Sequence, residues 1–452
     1  MSKILRVAII GAGPAGIYAG NILANKHPDV AIDLFDTLPA PYGLIRYGVA
    51  PDHPRIKGIV NSLHEMLNDG KIRFFGNVTF GKDITLADIK DHYHAVIFAT
   101  GAIKDAQLNI PGVDLDGSYG AADFVSWFDG HPDVPRTWPL EAAQVAVLGN
   151  GNVALDVARM LAKHADDLLT TDIPDNVYEG LKASPVTDVH VFGRRGPAQI
   201  KFTPIELREL GEVEDVDIVL YDEDFPDGWF DEDAEGVTNQ HKVMARVIES
   251  WRDRELTGAS RRLHLHFFSS PAEIIGDGNG KVAGMKFERT ELTENGQVRG
   301  TGIFANYPLQ AVYRAIGYFG SELPEVPFDD KFGVIRNQGG RVVDDSGAPV
   351  AGLYATGWIK RGPVGLIGHT KSDAMETIEN LIADLDSLAD PANGELDSMI
   401  NELKARGVEF TDWAGWLKLN QHELSLGAAF DGVERERVKV VARNEQVAIS
   451  NR

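Results

Sequence analysis

The residues best suited to chemistry are two glycine turns, one carboxylate and a pair of arginines. Gly11-Ala-Gly-Pro-Ala-Gly16 follows the apolar run Val7–Ile10, and Gly149-Asn-Gly-Asn-Val-Ala154 follows Val145–Leu148. Each turn opens a stretch of helical periodicity, so Gly11, Gly13 and Gly16 permit a tight turn and a close backbone approach to a pyrophosphate at the positive helix end. About twenty residues further on, the strand-like run Ala31–Asp36 ends in Asp36, a group able to accept hydrogen bonds from an adenosine ribose. The matching run after the second turn, Val186–Phe192, ends instead in Gly193-Arg194-Arg195-Gly196. A carboxylate there would repel a 2′-phosphate, whereas two guanidinium groups bind one through charge-assisted hydrogen bonds. The second site therefore favours NADPH over NADH, the alternative being a solvated arginine pair in a turn. Two nicotinamide sites would leave no electron acceptor between them, so FAD is expected in the first.

Composition narrows the redox chemistry. The 452 residues include no cysteine, which removes disulfides, cysteine-ligated iron-sulfur clusters and dithiol exchange together. An organic cofactor must then carry any redox step. With 44 basic against 67 acidic side chains, the net charge of −23 opposes unspecific binding to nucleic acid or anionic lipid. The absence of an 18-residue uncharged apolar run argues against membrane insertion. The first residues lead directly into Val-Ala-Ile-Ile-Gly without room for a signal segment, so a cytoplasmic location is expected. The acidic stretches at 222–227 and 230–235 lack the spaced ligands of a calcium loop and read as solvated faces.

Positioning these groups requires short buried strands alternating with helices. Further strand-like runs are His94–Thr100, Leu263–Phe268, Gln310–Ile316 and Gly352–Ala355, a pattern that predicts α/β layers with mainly parallel sheets. The chain is long enough for two or three domains. The expected architecture is two Rossmann-like dinucleotide-binding domains. Residues 1–103 and 320–390 form a discontinuous FAD-binding domain, and 104–319 form an inserted NADP-binding domain. Gly357-Trp358 through Gly365-Leu-Ile-Gly368 supplies a late glycine-rich turn able to approach a flavin. Residues 391–452, with Trp413 and Trp416, are expected as a C-terminal helical extension without a recognisable chemical motif.

The run Leu38-Pro-Ala-Pro-Tyr-Gly-Leu-Ile-Arg-Tyr-Gly-Val-Ala-Pro-Asp-His-Pro54 resembles adrenodoxin-reductase-like ferredoxin-NADP+ reductases, in particular their bacterial branch. Phe74–Val78, Leu108–Gly112, Gly149–Arg159, Gly193–Pro197, Glu206–Leu210 and Gly357–Pro363 add to the likeness, which spans about residues 5 to 385. The resemblance implies FAD contacts at Ala15, Asp36, Leu44, Phe80, Trp358, Gly365, Leu366 and Ile367. It implies NADP contacts at Asn152, Val153, Ala154, Leu155, Arg194, Arg195, Glu206 and Gly365. His53 and Glu209 align with a His and a Glu near the flavin–nicotinamide junction, where they would orient the nicotinamide and manage protons. Two departures stand out: Asp36 replaces the usual Glu, and Ala106-Gln107 stands where relatives carry an Arg. The implied activity takes hydride from NADPH to FAD and passes single electrons to a ferredoxin-type acidic iron-sulfur protein. Lys242, Arg246 and Arg252, with Arg261-Arg262 beyond, form a candidate docking face for that partner. An NADPH:quinone or diaphorase-type enzyme, a flavin monooxygenase and a non-catalytic nucleotide-binding scaffold are the competing readings.

Overall fold

The computed structural model describes residues 4–364, 367–428 and 432–452, with Ile367 in its backbone alone. The first glycine turn belongs to an eight-stranded sheet ordered Asn337–Gln338, Arg341–Val343, Pro349–Ala355, Ala95–Phe98, Leu5–Ile10, Val30–Phe35, Ile72–Gly76 and Thr411–Asp412. Its five central strands, from Pro349–Ala355 to Ile72–Gly76, are parallel. Leu5–Ile10 is buried at every position, as a strand covered on both faces must be. Helix Pro14–Lys26 packs on helix Ile367–Ala383 beside this sheet.

The second glycine turn belongs to a six-stranded parallel sheet ordered Ser118–Gly120, Ala311–Arg314, Gln144–Leu148, Asp188–Phe192, Arg261–His266 and Val216–Val219. One face buries Val189, Val191, Leu263 and Leu265 together with Leu155 and Ala158 of helix Asn152–Ala162. On the other, an antiparallel meander of Ser269–Gly276, Val282–Leu292 and Val298–Tyr307 places Met285 and Phe287 over Leu148 and Phe192. The chain passes between the sheets through Lys104–Asp105 and Tyr318–Phe319, which pair with each other antiparallel. Among the described residues no helix is long and apolar enough to cross a membrane.

The C-terminal segment differs from a helical extension. Helices Ser398–Ala405, Trp413–Ala428 and Arg443–Ser450 are present, but Thr411–Asp412 pairs with Ile72–Gly76 and completes the edge of the first sheet. Trp416 is buried edge-to-face against Tyr42, their centroids 5.5 Å apart. Where this segment begins, the Asn393 amide donates to Asp91 O at 2.7 Å, and buried Arg6 reaches Glu395 O and Ser398 Oγ. These contacts lie hundreds of positions apart in sequence, where composition and periodicity carry no signal.

Candidate functional site: two nucleotide cradles and the junction between them

At the first turn Gly11 has φ +112°, and a Cβ there would collide with the carbonyl oxygen of Ala99. Helix Pro14–Lys26 has Gly13 as its N-cap and no side-chain cap. Helix Leu86–His92, by contrast, closes its first turn with a Thr85–Asp88 capping box. Uncapped amides at a helix start are free to bind an anion. Asp36 accepts from the Ala12 amide at 2.6 Å and the Leu38 amide at 2.8 Å. Burial pushes its pKa up to about 6 against the pull of those two bonds. Each carboxylate oxygen keeps a lone pair for a ribose hydroxyl, so the shorter Asp retains the acceptor chemistry.

Two more segments close on this turn. The Tyr42 amide donates to Ala12 O at 2.8 Å, and a Cβ on Gly43 would lie 3.0 Å from Gly13 Cα. Gly357, at φ +75°, leaves room for Ala15, whose Cβ would be 2.5 Å from a Cβ on that glycine. Asp373 holds the Gly357 amide at 2.5 Å and the Thr356 hydroxyl at 3.1 Å. Half-buried Leu44 and Trp358 begin short helices beside this cradle. Glycines at the points of closest approach beside an uncapped helix start fit a dinucleotide such as FAD. Phe80 lies in the core, edge-to-face with Phe98 at 5.3 Å. Gly365 and Leu366 lie outside the described residues, and Ile367 is known only as the first residue of helix Ile367–Ala383.

The second turn repeats this construction. Gly149 has φ +146°, and a Cβ there would strike the Ala315 carbonyl, the counterpart of Ala99 after the neighbouring strand. Gly151 caps helix Asn152–Ala162 without a side-chain acceptor. Asn152 and Val153 are half-buried at the helix start, whereas Ala154 and Leu155 are buried in the core and present only backbone to a ligand. Arg194 and Arg195 are exposed just past strand Asp188–Phe192. Their carbonyls are pinned by the Thr290 hydroxyl at 2.8 Å and the Phe268 amide at 3.1 Å, which fixes the backbone and leaves both guanidinium groups outward. Glu206 forms a capping box with Thr203 at the start of helix Pro204–Gly211 and is buried. Asn152 Oδ1 accepts from the Thr203 amide at 3.3 Å, tying that helix start to the glycine turn.

Between the cradles, His53 joins the two halves of the molecule. Its Nδ1 lies 2.8 Å from Glu209 Oε2 and its Nε2 2.8 Å from Asp156 Oδ1. Burial alone would lower the imidazole pKa, but the Asp156 hydrogen bond and both carboxylates raise it above 6.5. Burial also raises Glu209. Arg159, one turn from Asp156, reaches Asp52 through two bonds of 2.8 Å and Asp156 at 2.9 Å. Although burial opposes it, Arg159 and Lys163 hold Asp52 below its ordinary range. A neighbouring carboxylate at each ring nitrogen favours the protonated imidazolium, and the Arg159 guanidinium 3.0 Å from Nε2 opposes it.

Comparison with known proteins extends this geometry. The model of the pyridine nucleotide-disulphide oxidoreductase family matches residues 5–194. The NADPH-ferredoxin reductase FprA of Mycobacterium tuberculosis is 39% identical, with 98% of each chain covered. Mitochondrial NADPH:adrenodoxin oxidoreductase of Bos taurus is 36% identical over 96% of this chain and 90% of that protein. The chain belongs to the NADPH-ferredoxin and NADPH:adrenodoxin reductase family. A solved structure of the mycobacterial family member in complex with NADPH matches 99% of this chain and all of that one, with a TM-score of 0.90. The lack of cysteine separates this family member from the dithiol chemistry in the broader family's description.

Asp52, Asp156 and Arg159 were not singled out by sequence reasoning. The i, i+3 spacing of Asp156 and Arg159 on a predicted helix was visible. Their convergence on His53, more than 100 positions away, was not.

Proposed function

We propose that this chain is an NADPH-dependent flavoprotein reductase, with FAD in the first cradle, NADPH in the second and a ferredoxin-type iron-sulfur protein as electron acceptor. The observation that carries this reading is the full-length likeness to NADPH-ferredoxin reductase, which runs through both glycine turns and the junction. FAD accepts a hydride as an electron pair and releases electrons singly. The protein supplies orientation and electrostatics. Uncapped helix amides at Gly13 and Gly151 bind the pyrophosphates, Asp36 takes an adenosine ribose, and Arg194 and Arg195 take the 2′-phosphate. His53, held between Asp156 and Glu209, orients the nicotinamide and manages protons at the junction. The NADP-binding unit spans 104–319 in this reading, and a cytoplasmic setting gives access to reduced nucleotide.

Docking follows from helix Asn239–Arg252, which packs on helix Pro204–Gly211, the element bearing Glu209. Lys242 lies 3.9 Å from Glu232, and Arg252 pairs with Glu249 and Asp222, so part of their charge is balanced locally. Arg246 is exposed and carries most of the attraction for an acidic partner. The deciding experiment is anaerobic stopped-flow reduction with NADPH, followed by reoxidation with ferredoxins and with quinones. Ferredoxin should reoxidise the enzyme faster at equal concentration; faster reoxidation by quinone would favour a diaphorase and overturn the acceptor.

A further inference from the structure

On the sheet face opposite helix Asn152–Ala162, strands Asp188–Phe192 and Arg261–His266 run side by side. Asp188 stands across from Arg262 and His190 across from His264. We propose that Asp188, His190 and His264 form a binding site for a divalent transition-metal ion, with Zn2+ the best match. One ligand atom from each residue lies within 4.8 Å of the other two. Two imidazoles and one carboxylate, with water in the fourth position, make a tetrahedral Zn2+ set.

The surroundings are those of a built site. Metal-binding histidines hold their second nitrogen in a hydrogen bond that fixes ring and tautomer. Here His190 Nδ1 is 3.0 Å from His266 Nε2, and His264 Nδ1 is 2.8 Å from the Tyr221 hydroxyl. Both arrangements leave Nε2 as the nitrogen for an ion; His264 Nε2 is now hydrogen-bonded to Asp188 Oδ1 at 2.9 Å, and the two parallel rings must tilt toward each other for both lone pairs to reach one ion. The His190 and His264 rings stack at 4.1 Å and 10°, a contact that disfavours two positive rings. When the ion replaces the Nε2 proton of His264, that proton moves to Nδ1 and is donated to Tyr221, so no proton need be released.

Arg262 competes with an ion for Asp188. It binds Asp188 at 2.6 and 2.9 Å, but its side chain is 48% exposed and can swing into solvent as the ion enters. Asp188 begins its strand, whereas Gly193 and Arg194 follow the other end, about 16 Å away at strand spacing. The ion would therefore cross-link two strand ends without taking part in hydride transfer.

The test is calorimetric titration of Zn2+ into metal-stripped, FAD-loaded enzyme, with Co2+ absorption beyond the oxidised flavin bands as a second readout. One Zn2+ per chain is expected, weakened by more than about 10-fold in His190→Gln and in His264→Gln, since even outer-sphere partners count for that much. Arg262→Gln leaves all three ligands in place and should bind Zn2+ more tightly than the unaltered enzyme. NADPH-driven flavin reduction should remain unchanged in His190→Gln and His264→Gln, which also reports their correct folding. Lack of stoichiometric binding in both the unaltered enzyme and Arg262→Gln would overturn the site, as would unaltered affinity in both histidine variants.

Discussion

At the scale of single residues, His53 and the Arg194-Arg195 pair make separable predictions. Because the folded-state pKa of His53 is raised above 6.5, its contribution to stability is fully present below that value and is lost as pH rises through the higher folded value. The melting-temperature gap between the unaltered enzyme and His53→Gln should therefore be widest at mildly acidic pH and narrow toward alkaline pH. A gap that does not change with pH would mean His53 is neutral in the fold. Arg194→Ala with Arg195→Ala removes the charge-assisted bonds expected at a 2′-phosphate, each worth about 1.5–3 kcal/mol. KM should rise about tenfold or more for NADPH while NADH is little affected; equal changes would contradict the assignment. Asp36 and the arginine pair were legible in sequence because each lies at the end of a strand after a glycine turn. Glu209 was legible only through the family resemblance, and Asp156 was not singled out, because it comes from another element.

At the scale of elements, the glycine turns depend on backbone conformation and clearance. Gly149→Ala places a Cβ at φ +146° and against the Ala315 carbonyl, a strain of about 1–3 kcal/mol. The turn and the start of helix Asn152–Ala162 must then shift. NADPH affinity should fall sharply while the flavin remains bound, measurable by nucleotide titration of the flavin spectrum; unchanged affinity would show that the turn is not the nucleotide contact. Helix Asn239–Arg252 makes a different prediction. Lys242→Glu with Arg246→Glu should slow ferredoxin-linked cytochrome c reduction, most at low salt, and spare ferricyanide reduction. Loss of both activities would point to damage rather than docking.

At the scale of the whole molecule, buried charge ties the C-terminal segment to both halves. Lys439 Nζ lies 3.4 Å from Asp129 and 3.0 Å from Asp172, and Lys57 binds the same two carboxylates at 3.4 and 2.9 Å. Lys439 also donates to Arg46 O at 3.0 Å. Arg435 pairs with Asp175 at 2.7 Å, and Arg46 with buried Glu423 at 2.5 Å. Lys439→Met leaves two carboxylates facing one ammonium and should cost about 3–5 kcal/mol at neutral pH. Burial already raises Asp129 to about 6, and loss of Lys439 raises it further. A carboxyl whose folded pKa exceeds its unfolded value disfavours folding once ionised, so the deficit should shrink as pH falls below that folded value. Thermal melts of both proteins across this range provide the check, and a deficit independent of pH would contradict it.

The sequence by itself determined the two glycine-turn folds, the sign of the charge that follows each and the exclusion of thiol chemistry. Glycine clearance, strand burial and the sign of a charge at a strand end are local properties, written within about forty residues of each turn. The tertiary structure decided the rest. It brought Asp156 and Arg159 onto His53 and Arg159 onto Asp52, built the C-terminal segment into the first sheet, and set Asp188, His190 and His264 side by side. Those groupings depend on which strands pair and which helices pack. Hydrogen bonding between distant segments and the cost of leaving buried charge unpaired enforce them, and neither is expressed in local spacing.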